Sequence, residues 1–243
     1  MRSVRSTLSP TLAVVLVVVF AGCLGGGTTF SADPATIPPT AYESHGYVYG
    51  NSTVIPLSYE VGVGPATRTV GVETWVSGYS KTTADGDISA LAVVSSPDAT
   101  VAGQSVNPLS NVGNRELVRT GLDLLADAQA LGNVSEVNGV REVGARNVTM
   151  LGAETELVTY AGTVEVEPGE MTVDGEPLAS DGGTADVRIH VATVEHESDI
   201  VVVIAVHGAG MDETDAVAAL AAAVEHPGTV EKTVGANESN AVQ

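Results

Sequence analysis

From Thr67 to Tyr79 the chain changes character at almost every step. Val70, Val72, Thr74 and Val76 fall on one side of an extended backbone, and Glu73, Trp75, Ser77 and Tyr79 on the other. Successive side chains of a strand point to opposite faces, so this spacing predicts a strand and not a helix. β-branched residues, stiff at χ1, favour the same state. Tyr47 to Val63 is a second extended stretch, where Pro56 predicts an edge strand or a break. Ile88 to Val94 is a third, stopped by Ser95, Ser96 and Pro97. Further on, Val148–Tyr160 and Thr163–Glu167 are extended, and Asp174-Gly175 marks a tight turn. Val187, Ile189 and Val191 alternate with Arg188, His190 and Ala192 as a half-buried strand. Ile200–Val206 is apolar throughout, which predicts a central strand covered on both faces. Aromatic residues are only 4% of a chain that is 44% hydrophobic, so the core must rest on Val, Leu, Ile and Ala.

Two segments carry helical spacing instead. Leu117, Val118, Leu122, Leu124, Leu125, Ala128 and Leu131 form one, with Asn111 or Asn114 as its cap and Gly132 at its end. Val217, Leu220, Ala221 and Val224 form the other, capped by Asp212 and stopped by Pro227 and Gly228. The expected fold is therefore α+β: a mostly antiparallel β-sheet with two main helices packed on it, in a single domain. Residues 41–228 make that domain. Residues 23–40, rich in Gly, Thr, Ser and Pro, read as a flexible tether, and 229–243 as a disordered tail.

Residues 1–22 read as a signal peptide. Arg2 and Arg5 precede an apolar run from Leu12 to Phe20, and small residues follow. The run is short for a spanning helix, which needs about 20 apolar residues. Its end, Ala21-Gly22-Cys23-Leu24, resembles a lipobox, the lipoprotein signal of bacteria and archaea, with Phe20 where an aliphatic residue is usual. That resemblance implies cleavage after Gly22 and a lipid on Cys23. Cys23 is the only cysteine, which excludes an internal disulfide framework.

The charge balance describes the solvent. Thirty acids stand against ten bases, a net charge of −20, and Lys81 and Lys232 are the only lysines. Such a surface repels phosphates, so nucleic acid is excluded as the main partner. It also strains the compact state by self-repulsion. In molar salt the Debye length falls to about 3 Å and the repulsion fades. The composition therefore predicts a halophilic protein. The chain resembles a haloarchaeal family of lipoproteins of unknown function, through Ala21-Gly22-Cys23-Leu24-Gly25, Trp75 followed by Tyr79, Ser96-Pro97, Asn107-Pro108 and Val194-Glu195-His196. From Val140 to Gly228 its order of elements resembles the carboxyl half of the PsbP/Mog1 fold, which implies a topology and no activity.

Chemistry-bearing motifs are few. There is no Gly-x-Ser-x-Gly elbow and no phosphate loop. His207-Gly208-Ala209-Gly210 joins a strand to a helix, where backbone N–H groups can hold an anion, yet glycines in a plain connecting loop explain it as well. His190 and His196 share a strand face, but a zinc site needs three or four ligands, and surface histidines are the simpler reading. Asp85-Gly86-Asp87 and Asp181-Gly182-Gly183 read as solvated turns and not as calcium loops. No metal or other cofactor is expected. Trp75 and Tyr79 belong either to the core or to a binding surface. Sequons at Asn51, Asn133, Asn147 and Asn237 are glycosylation candidates, Asn51 and Asn133 ahead of the others because they fall in expected loops.

The expectation is a lipoprotein on the outer face of the cell membrane, serving as a non-enzymatic binding or accessory module with an unidentified protein partner. A metal-assisted hydrolase using His190 or His196, and a transporter's solute receptor, are the alternatives.

Overall fold

The computed structural model describes residues 28–63, 66–84, 86–101, 103–105, 107, 109, 118, 134–166, 169–173, 176–180 and 183–230. In chain order these form β1 (Thr28–Ser31), α1 (Pro39–Ser44), β2 (Val48–Val63), β3 (Ala66–Thr82), β4 (Ile88–Pro97), β5 (Thr100–Val101) and β6 (Gln104–Ser105). Then come β7 (Val134–Met150), β8 (Ala153–Val166), β9 (Gly169–Val173), β10 (Glu176–Ser180), β11 (Gly183–His196), β12 (Asp199–Gly208) and α2 (Thr214–Ala222).

Eight strands make one sheet in the order β1-β3-β4-β12-β11-β8-β7, with β2 also paired to β3. All pairs are antiparallel except β1 with β3. β12 lies in the middle, between β4 and β11, and every residue from Ile200 to Val206 is buried. Its unbroken apolar run follows from having cover on both faces. Pro56 is accommodated because β2 has β3 as its neighbour on one side only among the described residues. β9 and β10 pair antiparallel, with Val173 opposite Glu176; the turn expected at Asp174-Gly175 lies outside the described residues.

The alternation in each strand sorts the core into two layers. One face gathers Val76, Val94, Val158, Val187, Ile189, Val202 and Ile204, with Leu109 and Val118 packed on it. The opposite face gathers Leu91, Val93, Leu157, Val201 and Val203 beneath Val217 and Leu220 from α2 and Val224 just beyond it. Both faces are covered, so β11 is buried through its middle on both sides and is not half-buried as its alternation suggests.

The α+β expectation with two main helices is overturned. The protein is mostly β: an eight-stranded mixed sheet with two short helices, of six and nine residues, among the described residues. The physical reason is that apolar residues recur at period two over strands of 10–17 residues, while the helical stripe at Val217–Val224 lasts barely two turns. The other expected helix, 117–131, lies outside the described residues except Val118, which is helical and fully buried.

The folded body also begins earlier than composition suggests. Within the expected tether, Thr28–Ser31 adds a parallel strand to β3, and Ala35 and Ile37 are buried. The Ile37 N–H donates to the Tyr79 hydroxyl (2.7 Å), and Ser77 donates to the Ala35 carbonyl (2.8 Å). Thr36 and Glu225 exchange two backbone hydrogen bonds, at 3.1 and 2.8 Å, so this segment is sewn to the chain just beyond α2. The expected signal peptide, Cys23 and the residues from 231 lie outside the described residues.

Candidate functional site: two buried polar clusters

The helix-covered face carries a polar cluster at each end. The first sits where β12 runs into α2. His190 on β11 and His207 on β12 bring their Nε2 atoms to 2.9 Å, with rings stacked at 5.1 Å and 18°. They are 0% and 2% exposed; for His190 this corrects the expectation of a surface histidine, while His196 is half-buried. One pattern of protons satisfies all four ring nitrogens. His207 Nδ1–H donates to the Gly208 carbonyl (2.9 Å), which leaves its Nε2 as an acceptor. His190 Nε2–H then donates to it, and His190 Nδ1 accepts from the Thr159 hydroxyl (3.0 Å). Both rings are neutral in this pattern. Burial, reinforced by the neighbouring His207 and Arg188, pushes His190 down to about 4. Burial lowers His207 as well, against the pull of the Gly208 carbonyl.

Beside the pair, Glu213 is buried at the amino end of α2. It occupies the cap position, where Asp212 was expected, but makes no side-chain cap. Its carboxylate instead accepts from Lys81 Nζ (2.6 Å) and from the Tyr47 hydroxyl (3.2 Å). Tyr47 in turn shares a hydrogen bond with Ser89 (2.7 Å), and burial raises the Tyr47 hydroxyl well above its ordinary range. A negative group at a helix amino end is favoured by the dipole in addition to the ion pair.

The second cluster sits at the opposite end. His226 Nε2 stands 2.9 Å from Asp199 Oδ2 and 3.3 Å from Ser95 Oγ. The same Oδ2 accepts from the Asp33 backbone N–H (2.9 Å) and from Ser95 (3.5 Å). Asp199 and Ser95 are buried, and the ring of His196 meets that of His226 edge-on at 5.4 Å. His226 Nδ1 is buried with no hydrogen-bond partner among the described residues. The three residue types are those of a hydrolytic triad, but the wiring is wrong. In a triad the carboxylate holds Nδ1 and the serine meets Nε2, whereas here both reach the same nitrogen, and Ser95 is inaccessible. The cluster ties Asp33, β4, β12 and His226, four residues beyond α2, together; it presents no nucleophile.

The other candidates are placed as follows. Tyr79 is 1% exposed and belongs to the core, so it offers no binding surface; Trp75 is half-buried. In the His207–Gly210 loop, Ala209 N–H donates to the Asp186 carbonyl and Met211 N–H to the Gly208 carbonyl, so these donors are already used and the connecting-loop reading holds. Asp87 and Gly86 close a turn on Thr83. Asn51 is exposed where β2 loses register with β3, and Asn147 is exposed on edge strand β7; Asn133 and Asn237 lie outside the described residues. No group of three or more metal-ligating side chains occurs among the described residues. No helix there is long and apolar enough to cross a membrane.

Sequence reasoning missed Asp199, Glu213, Tyr47 and the His190–His207 contact. One signal for the pair was present: a histidine directly ending the continuous apolar run of β12 must lie at the rim of a buried strand.

No curated protein and no solved structure matches the chain. A family model, described as a domain of unknown function (DUF6517), matches residues 34–225, which takes in the sheet from β2 to β12, the first cluster, Ser95 and Asp199 of the second, and α2, and leaves out β1, Asp33 and His226. The chain therefore belongs to the DUF6517 family.

Proposed function

We propose that this protein is a lipid-anchored module on the outer face of the membrane of a salt-adapted organism, and that it acts by binding or by supporting an assembly, not by catalysis. The observation that carries the reading is Ala21-Gly22-Cys23-Leu24 behind a positive start and an apolar run, in a chain whose single cysteine stands there. A two-chain lipid at that position anchors stably, where a single chain holds only marginally. The non-enzymatic part draws support from the clusters: His190 and His207 spend their facing nitrogens on each other, and Ser95, Asp199 and His226 are sealed in the core. Haloarchaeal origin draws support from thirty acids against two lysines. The PsbP/Mog1-like likeness draws support from the order β7, β8, the β9–β10 hairpin, β11, β12 and a closing helix.

Detergent phase separation of the native protein tests the anchor. The protein enters the detergent phase, its first peptide is heavier than the bare-thiol form, and Cys23→Ser moves it to the aqueous phase. An aqueous native protein with an unmodified first peptide refutes the anchor. The melting temperature rises as KCl goes from low to molar; a flat or falling profile in a thermal scan refutes the salt adaptation.

A further inference from the structure

The arm formed by β1, β2 and the first half of β3 differs from the rest of the molecule in shape and in charge. β4 pairs with β3 only from Trp75 onward, while β2 stays paired with β3 to the Val63–Ala66 turn. Ala66–Thr74 and its partner therefore run beyond the rest of the sheet. β1 lies along this extension, with Thr28 opposite Val70 and Ser31 opposite Glu73. Gly71 allows the close fit, since a Cβ there would stand 2.9 Å from Thr29 Oγ1. Because β1 is parallel to β3, the chain enters it from the side of the hairpin tip.

Only residues 24–27 separate Cys23 from Thr28. At most about 3.6 Å per residue, the two α-carbons lie within about 18 Å of each other. Along β3, Thr28 stands level with a position about 13 Å from Ala66 and about 40 Å from Thr82, at 3.3 Å per residue. A lipid on Cys23 thus brings the tip of the arm to the headgroups and leaves the β3–β4 turn far away.

The charge of the arm fits that placement. Between Val48 and Thr74 the sequence has two acids, Glu60 and Glu73, and one base, Arg68, and Thr28–Ala32 has neither. The whole chain carries 30 acids and 10 bases. At the contact range that molar salt leaves unscreened, anionic headgroups would repel this arm less than the acid-rich remainder of the chain. One face of the arm presents Thr29, Glu60, Gly62, Thr67 and Thr69 to solvent; Phe30 and Tyr59 lie on the other, half-buried against Val61, Val70 and Val72. Their partly exposed rings suit the interfacial zone.

We infer that the β1–β2–β3 arm is the face on which the protein rests against the bilayer that holds its own lipid, with the β3–β4 turn and α2's amino end pointing away. The inference rests on the anchor proposed for Cys23. The test uses the intact lipoprotein, whose own thiol is blocked by its lipid, carrying Gly62→Cys, Thr67→Cys or Ala84→Cys with a fluorophore. All three positions are exposed, and a Cβ at Gly62 meets nothing within 4 Å. Each is reconstituted in phosphatidylglycerol–phosphatidylcholine vesicles containing headgroup spin-labelled lipid, in molar KCl, and floated. Fluorophores at 62 and 67 are quenched several-fold more than at 84. Floated protein with equal quenching at all three sites, or more at 84, overturns the orientation and leaves the anchor standing. Protein that does not float overturns the anchor, and this inference with it.

Discussion

The two ends of the helix-covered face are equally buried and both are built on histidine, yet they solve the burial of polar groups differently. At the β12–α2 end, His190 and His207 are neutral and every ring nitrogen has a partner. At the other end, one carboxylate oxygen of Asp199 gathers His226, Ser95 and the Asp33 N–H, while His226 Nδ1 has no partner among the described residues. A satisfied neutral network is rigid and costs little; a buried carboxylate is held only by what surrounds it, and losing any member is costly. The histidine pair ties neighbouring strands of the sheet, while Glu213 beside it joins α2 to Lys81 and Tyr47. Asp199 ties the amino-terminal segment and the chain beyond α2 to the centre of the sheet, so at both ends it is a buried carboxylate that makes the longer-range connection.

Removing the carboxylate should break that contrast hardest. Asp199→Ala leaves His226, Ser95 and the Asp33 N–H without their shared acceptor, and should cost about 3–5 kcal/mol in denaturant unfolding at molar KCl. A loss below about 1 kcal/mol would put the two ends on the same footing.

Acid should act through the other end. The unfolded state binds protons at histidine near pH 6.5, whereas folded His190 takes one only at about 4 and His207 also below its ordinary value. Stability from the neutral pair is thus fully present above about pH 6.5 and is lost as pH falls toward about 4, because the unfolded chain is the better proton acceptor in that window. Unfolding titrations should show this slope in the native protein and a smaller one in His190→Leu/His207→Leu. An identical slope in both would assign the acid sensitivity elsewhere.

The smallest effect distinguishes a pair from two separate residues. His190→Leu alone leaves His207 Nε2 without its donor and should cost about 1–3 kcal/mol. Adding His207→Leu should restore part of that, with a coupling near 1 kcal/mol in a double-mutant cycle. Strict additivity would mean the 2.9 Å contact contributes nothing.

What could be read from the chain follows from what is local. The period of Thr67–Tyr79 and the apolar run of Ile200–Val206 depend on a residue and its neighbours, and both strands stand where their patterns put them. The stripe from Val217 to Val224 outruns the helix that ends at Ala222, because a stripe states which residues face inward and not how long the helix persists. The clusters were invisible because they are made by register. His190 meets His207 only because His196 pairs with Asp199 across Glu197-Ser198, a turn without the usual Asn-Gly mark in which Glu197 adopts φ 55°. Ser95, Asp199 and His226 come from β4, the start of β12 and the residues after α2, and no spacing rule joins them. The tether was misread because Gly, Thr and Ser are as suited to an edge strand lying on Gly71 as to a loose linker.

The position of β12 has a consequence for how the molecule comes into being. β4 is buried along almost its whole length and is completed on one side by β12, whose pairing with Pro97 begins at Asp199, roughly a hundred residues later in a topology that pays loop-closure entropy before its contacts form. Until that late strand emerges, an apolar ribbon from Leu91 to Val94 has one bare edge, the kind of edge that recruits strands from other chains. During that interval the ribbon is the part of the folding chain most open to pairing with another molecule.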